Sequence, residues 1–265
     1  MTPAARDLIA EADALHQFLQ TLDAADWQRP TPFMDWTPWD VVAHLHFFDE
    51  VSLLALAGRE PFEARANSIM TQIMEGVSGT EQTRRELGHL DAPALLTQWI
   101  ETCHRLATAL GELPPKQRLP WFGPDMSANS FISARFMETW AHGQDVYDLM
   151  HAPREHGDRI KLVADLGVKT FGWTFVNRKL EVPGEPPYVR LTAPSGAIWE
   201  WHEPNAENCI TGPALAFCQV VTQGRNIADT DLAVTGDTAS RWMAIAQCFA
   251  GAPADPPRPG ERAWE

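Results

Sequence analysis

The sequence predicts an α+β protein of two domains: a four-helix bundle over residues 1–152, and a smaller α+β domain over residues 153–265. Three observations predict it. A chain of 265 residues exceeds the usual size of one domain and falls short of three. Up to about residue 152 the apolar residues recur at helical spacing, whereas beyond Pro153 short alternating segments lie between Pro- and Gly-rich turns. Hydrophobic residues make up 45% of the chain, enough for packed cores.

The first helix is predicted from about Ala4 to Ala25, with Leu8, Leu15, Phe18, Leu19 and Leu22 at helical spacing. A second begins at "TPWD": Thr37 is the N-cap, Pro38 suits a first turn that needs no N–H partner, and Asp40 takes the capping-box position. A third covers "APALLTQWIETCHRLATALGEL" and stops at Pro114-Pro115, where the ring clash ends helical geometry. A fourth follows Ser127. Between them, "LPWFGPDM" combines Pro, Gly and aromatic residues in the manner of a covering loop. In the second domain "DLGVKTFGWTFVNRK" reads as helix, and "YVRLTA" and "AIWEWHE" read as strands joined at "PSG". "GPALAFCQVVTQG" then reads as helix, "DLAVTG" as strand, and "TASRWMAIAQCFAG" as a helix ended by Gly251. The Pro-rich tail after Gly251 is expected to be loose.

A formal charge of -14, from 21 basic and 35 acidic residues, leaves no footprint for a phosphate backbone, so nucleic acid is not an expected partner. Cys103, Cys209, Cys218 and Cys248 are far apart and form no CxxC pair, which reads as reduced core cysteine. The first turns carry acids and no basic leader, and no segment is apolar for the ~20 residues a membrane helix needs. A soluble, cytoplasmic protein acting on a small molecule is expected; the oligomeric state is not written in the sequence.

The stretch "METWAHGQDV" sets Glu138, His142 and Asp145 in an apolar and aromatic run. Glu138 and His142 are four apart and share a helical face. Two readings are open for them: a solvated, ion-paired face together with Arg135, or two ligands of a metal that lacks a third. The second helix offers two histidines. His46 shares its side with Asp49 and Glu50, as a solvated residue does, whereas His44 shares a face with Val41, Phe47, Phe48 and Val51 and is expected to point inward. An inward His44 is either a neutral core histidine or the missing ligand, since a bundle can bring it against a Glu-x-x-x-His pair. Asp145 and Asp40 stand one turn from His142 and His44, where each could orient a ligand imidazole; Asp40 is equally a cap and Asp145 equally a surface acid. Glu101 and His104 lie off the apolar stripe of the third helix and read as solvated. Glu200 and His202 alternate onto the outer face of a strand whose other face carries Trp199 and Trp201.

"MDWTPWDVVAHL" and "ARFMETWAHGQDVYD" resemble the metal-binding bundle of the mycothiol-dependent maleylpyruvate isomerase branch of the DinB-like superfamily. "VVTQGRNIADTDLAVTGDTASRWMAIAQCFAGAP" resembles the C-terminal domain of that branch, which is related in fold to sterol carrier proteins. The resemblance implies that His44, Glu138 and His142 hold a divalent ion of zinc type, the three residues that helical geometry also selects. It implies an enzyme with a low-molecular-weight thiol co-substrate, whose thiolate adds to an electrophilic carbon of a small unsaturated acid before rotation and elimination. Arg225, in a "GR" turn, is the candidate catalytic contact for a substrate anion. Trp121 and Phe122 are candidates for the substrate pocket, with packing against the second domain as the alternative. A metal-dependent hydrolase such as an amidase uses the same ligand set, and a metal-stabilised binding protein without turnover also accommodates a chain with 11 Trp and 2 Tyr.

Overall fold

The computed structural model describes residues 1–262. Its first unit, Met1–Ala152, contains α1 (Pro3–Leu19), α2 (Pro38–Ala57), α3 (Arg59–Met74), α4 (Gly79–Leu87), α5 (Ala92–Glu112) and α6 (Ala128–Leu149). A short antiparallel ladder of β1 (Arg118–Leu119) and β2 (Met126–Ser127) leads into α6. The four expected helices correspond to α1, α2, α5 and α6, which pack on one another. α1 is shorter than expected. Asp23 Oδ1 accepts the N–H groups of Ala25 and Asp26, and Thr21 Oγ1 donates to the Phe18 carbonyl, so local polar bonds replace the helical ladder beyond Leu19.

The capping box at the start of α2 forms as its spacing predicts. Thr37 Oγ1 accepts the Asp40 N–H at 3.3 Å, and Asp40 Oδ2 accepts the Thr37 N–H at 2.9 Å. From there α2 packs against α3, α4, α5 and α6 and keeps no fully solvated face. This corrects the expectation for His46. It is buried, as is Asp49, because α5 covers the side assigned to solvent. α3 and α4 were not expected: only Phe62, Ala66 and Ile69 of α3 and Gln82 and Thr83 of α4 are buried, too sparse a pattern to read as periodic.

The second unit begins at Pro153 and contains α7 (Lys161–Lys169), α8 (Phe171–Asn177), β3 (Tyr188–Thr192), β4 (Ile198–Trp201), β5 (Cys209–Pro213), α9 (Ala214–Val221), β6 (Ala233–Thr235) and α10 (Asp237–Met243). The sheet order is β4-β3-β5-β6. β3 and β4 form the expected antiparallel hairpin, β5 lies parallel to β3, and β6 closes antiparallel to β5. β5 was not read from "CITGP". The helix expected over "DLGVKTFGWTFVNRK" is two, broken at Thr170, whose Oγ1 lies 2.9 Å from the carbonyls of Leu166 and Gly167. α10 ends at Met243, well before Gly251, because the Gln247 N–H donates to Thr174 Oγ1 and the Cys248 N–H donates to the Val221 carbonyl.

The tail is not loose. Arg178 holds Asp255 at 2.8 Å, Gln223 Nε2 donates to the Ala254 carbonyl at 2.7 Å, and Asn226 Nδ2 donates to the Pro257 carbonyl at 2.8 Å. Proline removes backbone donors, so side chains of the unit supply the bonds that fix the segment. Among the described residues no helix is long and apolar enough to cross a membrane.

The cap that starts α2 can be tested directly. Thr37→Ala is expected to lower the unfolding free energy by about 1 kcal/mol in a urea titration, and Thr37→Ser to recover most of it.

Candidate metal centre

Glu138 and His142 stack on the side of α6 that meets α2, and His44 reaches them from α2. His44 Nε2 lies 3.1 Å from Glu138 Oε2, and His142 Nε2 lies 3.4 Å from the same oxygen. One donor atom from each of the three residues falls within 4.8 Å of the others. Around a tetrahedral ion with bonds of roughly 2.0–2.1 Å, neighbouring donor atoms sit roughly 3.4 Å apart, and the two nitrogen–oxygen separations match that edge. Two imidazoles and a carboxylate are a donor set for a divalent ion and leave a fourth position open. The side chains retain 18% (His44), 22% (Glu138) and 12% (His142) exposure, so solutes can reach the cluster.

Burial and carboxylates set the electrostatics in opposite directions for the two rings. Burial pushes His44 down to about 4; Glu138 opposes the shift and the neighbouring His142 adds to it. Burial also disfavours charge on His142, but Asp145 and Glu138 together outweigh it and raise that ring to about 9. Burial opposes the charge of Glu138 as well, yet the two imidazoles hold its carboxyl well below the usual carboxylate range. Without a metal, then, an ionised carboxylate sits between one neutral and one charged imidazole.

Asp145 Oδ2 faces His142 Nδ1 at 3.4 Å, the place from which an acceptor fixes the tautomer that leaves Nε2 to a metal. Asp40 does not serve His44 in this way. Its carboxylate is taken up by Thr37 and by Nε and Nη2 of Arg84, each at 2.7 Å, so the capping reading holds and the orienting one is corrected. Arg225 belongs to the second unit, where it is buried and its Nη1 donates to the Gly224 carbonyl at 2.8 Å.

Trp121 and Phe122 sit in the loop bracketed by β1 and β2 and find aromatic partners within the helical unit. Trp121 packs on Phe131 and Phe62, with centroids at 4.7 and 5.7 Å, and Phe122 reaches Phe48 at 6.2 Å. Phe48 in turn lies 4.9 Å from the His44 ring, so Phe122 is one ring removed from a ligand.

The sequence reading missed the nearest aromatic neighbours. Trp36 lies 5.1 Å from His44 and stacks on His142 at 5.2 Å, while Phe33 meets His142 edge-on at 5.0 Å. Both are placed by a tight turn in which Trp36 N–H donates to the Phe33 carbonyl at 2.9 Å and Met34 and Asp35 adopt φ of 51° and 57°. Two positive φ values in succession define a type I′-like turn, whose usual signal is Gly or Asn. Met34 carries no such signal, so only "FMDW" directly before the Thr37 cap could have pointed there. Arg135, grouped with Glu138 and His142 in the solvated reading of that face, is buried and ion-paired to Asp49 at 2.9 Å.

A helical unit presenting two histidines and a carboxylate on facing helices, followed by an α+β unit, defines the class: a DinB-like bundle with an appended domain. The chain belongs to the mycothiol maleylpyruvate isomerase N-terminal domain family, whose model matches residues 8–147. Two uncharacterized proteins from two strains of Mycobacterium tuberculosis are each 39% identical over 252 residues, 95% of this chain and 96% of the relative. The crystal structure of the mycothiol-dependent maleylpyruvate isomerase is similar with a TM-score of 0.53 and 16% identity, over 82% of this chain and 86% of that one. A histidine-to-alanine mutant of that enzyme gives 0.52 and 17% over the same shares. At such identity the likeness is one of fold.

Ligand imidazoles must be neutral to donate to a metal. With His142 raised to about 9 and His44 lowered to about 4, zinc binding at pH 7 is expected to release about one proton, from His142. Apparent affinity should therefore rise about tenfold per pH unit up to pH 9 and then level off. Calorimetric titrations in buffers of different protonation enthalpy measure the proton count, and a count near zero would show that His142 is neutral beforehand.

Proposed function

We propose that this chain is a divalent-metal-dependent enzyme that uses a low-molecular-weight thiol, mycothiol or one of similar chemistry, to isomerise or S-conjugate a small electrophilic organic acid. The observation that carries the reading is the convergence of His44, Glu138 and His142 within 4.8 Å in a chain of this family. Zinc suits the set, being a borderline ion that accepts imidazole nitrogen and carboxylate oxygen alike. When bound, such an ion lowers the pKa of a thiol on its open position and so supplies a thiolate at neutral pH.

The chain's own residues provide the rest. Asp145 holds the Nδ1 proton of His142 and fixes the ring. Phe33, Trp36 and Phe48 surround the imidazoles and restrict water around the reacting sulfur. Sulfur adds to the electrophilic carbon of an α,β-unsaturated acid as the C=C electron pair shifts toward the carbonyl. The former double bond then rotates, and return of the electron pair expels the thiolate and leaves the isomer. In S-conjugation the adduct is instead protonated and released. The α+β unit is read as sterol-carrier-like and small-ligand-binding, with Arg225 as its candidate contact for an anionic group of a ligand held within that unit.

The test joins metal content to thiol dependence. Plasma mass spectrometry on purified, reloaded protein should find near-stoichiometric zinc in the wild type and a large loss in His44→Ala, Glu138→Ala and His142→Ala. A screen of unsaturated acids, maleylpyruvate among them, should give turnover that needs both metal and added thiol and that His44→Ala abolishes. Turnover needing metal but no thiol would replace this reading with hydrolysis. Ligand binding with no new product in any screen would replace it with a carrier function.

A further inference from the structure

The two helices that carry the candidate ligands also carry a charged pair that the proposed chemistry does not use. Arg135 and Asp49 are 3% and 1% exposed, and Arg135 Nε donates to Asp49 Oδ1 at 2.9 Å. Arg135 Nη2 donates to the Leu45 backbone carbonyl at 3.2 Å. Each end is within about a turn of a ligand. Arg135 precedes Glu138 by three residues on α6; Leu45 directly follows His44 on α2, and Asp49 is the next residue along the Leu45 ridge. The guanidinium thus spans the two helices that carry the ligand set, grips α2 at a carbonyl and a carboxylate, and fixes both the separation and the axial register of the contact.

Stability does not account for such a pair. Desolvating two charges costs about as much as their attraction returns, and apolar replacements of similar volume are often neutral or stabilising. What an arginine fork provides, and leucine or methionine packing does not, is one defined geometry between two helices. A metal centre needs that geometry, because donor atoms must stay within a few tenths of an ångström of their positions.

We infer that Arg135 and Asp49 are positioning residues for the metal centre: their buried pair, with the added bond to Leu45, sets α6 on α2 so that His44, Glu138 and His142 converge. The inference rests on the metal-dependent reading above. Neither residue is among the three that offer a donor atom to an ion.

The test separates stability from geometry by replacing both partners together. Arg135→Met/Asp49→Leu is expected to unfold at a temperature equal to or above that of the wild type, yet to bind zinc roughly 10- to 100-fold more weakly. The visible absorption of its cobalt-substituted form should shift or broaden as the coordination loosens. Because the double variant could fail to fold, Arg135→Lys is measured beside it: it keeps the charge but cannot reach Asp49 and Leu45 at once, and the same loss of zinc affinity is expected. A folded variant of either kind with wild-type zinc affinity and an unchanged cobalt spectrum overturns the inference and leaves the metal reading standing. A wild-type protein that takes up neither zinc nor cobalt overturns both.

Discussion

The candidate ligands are divided between two helices, His44 on α2 and Glu138 with His142 on α6, so everything at the site depends on how α6 lies on α2. A Glu-x-x-x-His pair on one helix is preorganised by the helix itself, since four residues nearly complete a turn. The third ligand has no such guarantee. It depends on where α2 begins, which the capping box at Thr37 and Asp40 fixes, and on α2 being packed by α3, α4, α5 and α6. Enclosure of this kind removes the freedom to roll or slide that a helix with one solvated face retains. Arg84 extends the same control, because it holds the capping carboxylate from α4.

Charge at the centre follows from the same packing. Counting only the three ligands, Glu138 contributes -1, charged His142 +1 and neutral His44 zero, so the set is neutral near pH 7. A divalent ion here would displace the His142 proton, and the carboxylates of Glu138 and Asp145, both beside that ring, would balance its two charges.

The parts of the fold that were legible in the sequence are those governed by local rules. Thr37-Pro38 and Asp40 announced the start of α2, Pro114-Pro115 the end of α5, and Pro194-Ser195-Gly196 the hairpin between β3 and β4. The illegible parts are decided by what lies across the chain. His46 and Asp49 looked solvated because helical periodicity assumes one wet face, and α2 has none. α3 and α4 bury so few residues that no stripe marks them. α10 and the tail were misjudged because Thr174, Gln223 and Asn226, all distant in sequence, hold backbone groups that local propensity assigned otherwise. At the site the same division holds: His44, Glu138 and His142 follow from spacing, whereas Asp40 was drawn away by Arg84, a partner no spacing rule could supply.

The aromatic turn shows why the entry to α2 and the metal centre form one device. Left-handed backbone costs a non-glycine residue roughly 1–2 kcal/mol, and here Met34 and Asp35 both adopt it. Met34 is 74% exposed, so no burial of its own side chain offsets that cost. The offset lies on either side of it. The turn sends Phe33 to the His142 ring and Trp36 to both imidazoles, and the Thr31 N–H closes the loop on the Trp36 carbonyl at 2.8 Å. Thr37, the next residue, is already the cap. A shift in the start of α2 would therefore carry the aromatic wall with it and move His44 at the same time. Conversely, a turn relaxed by glycine at position 34 would free the rings while leaving the cap and the ligands in place. The strain is spent on aligning a wall with a helix start, and the alignment is what makes the three ligands an enclosed site instead of an open surface cluster.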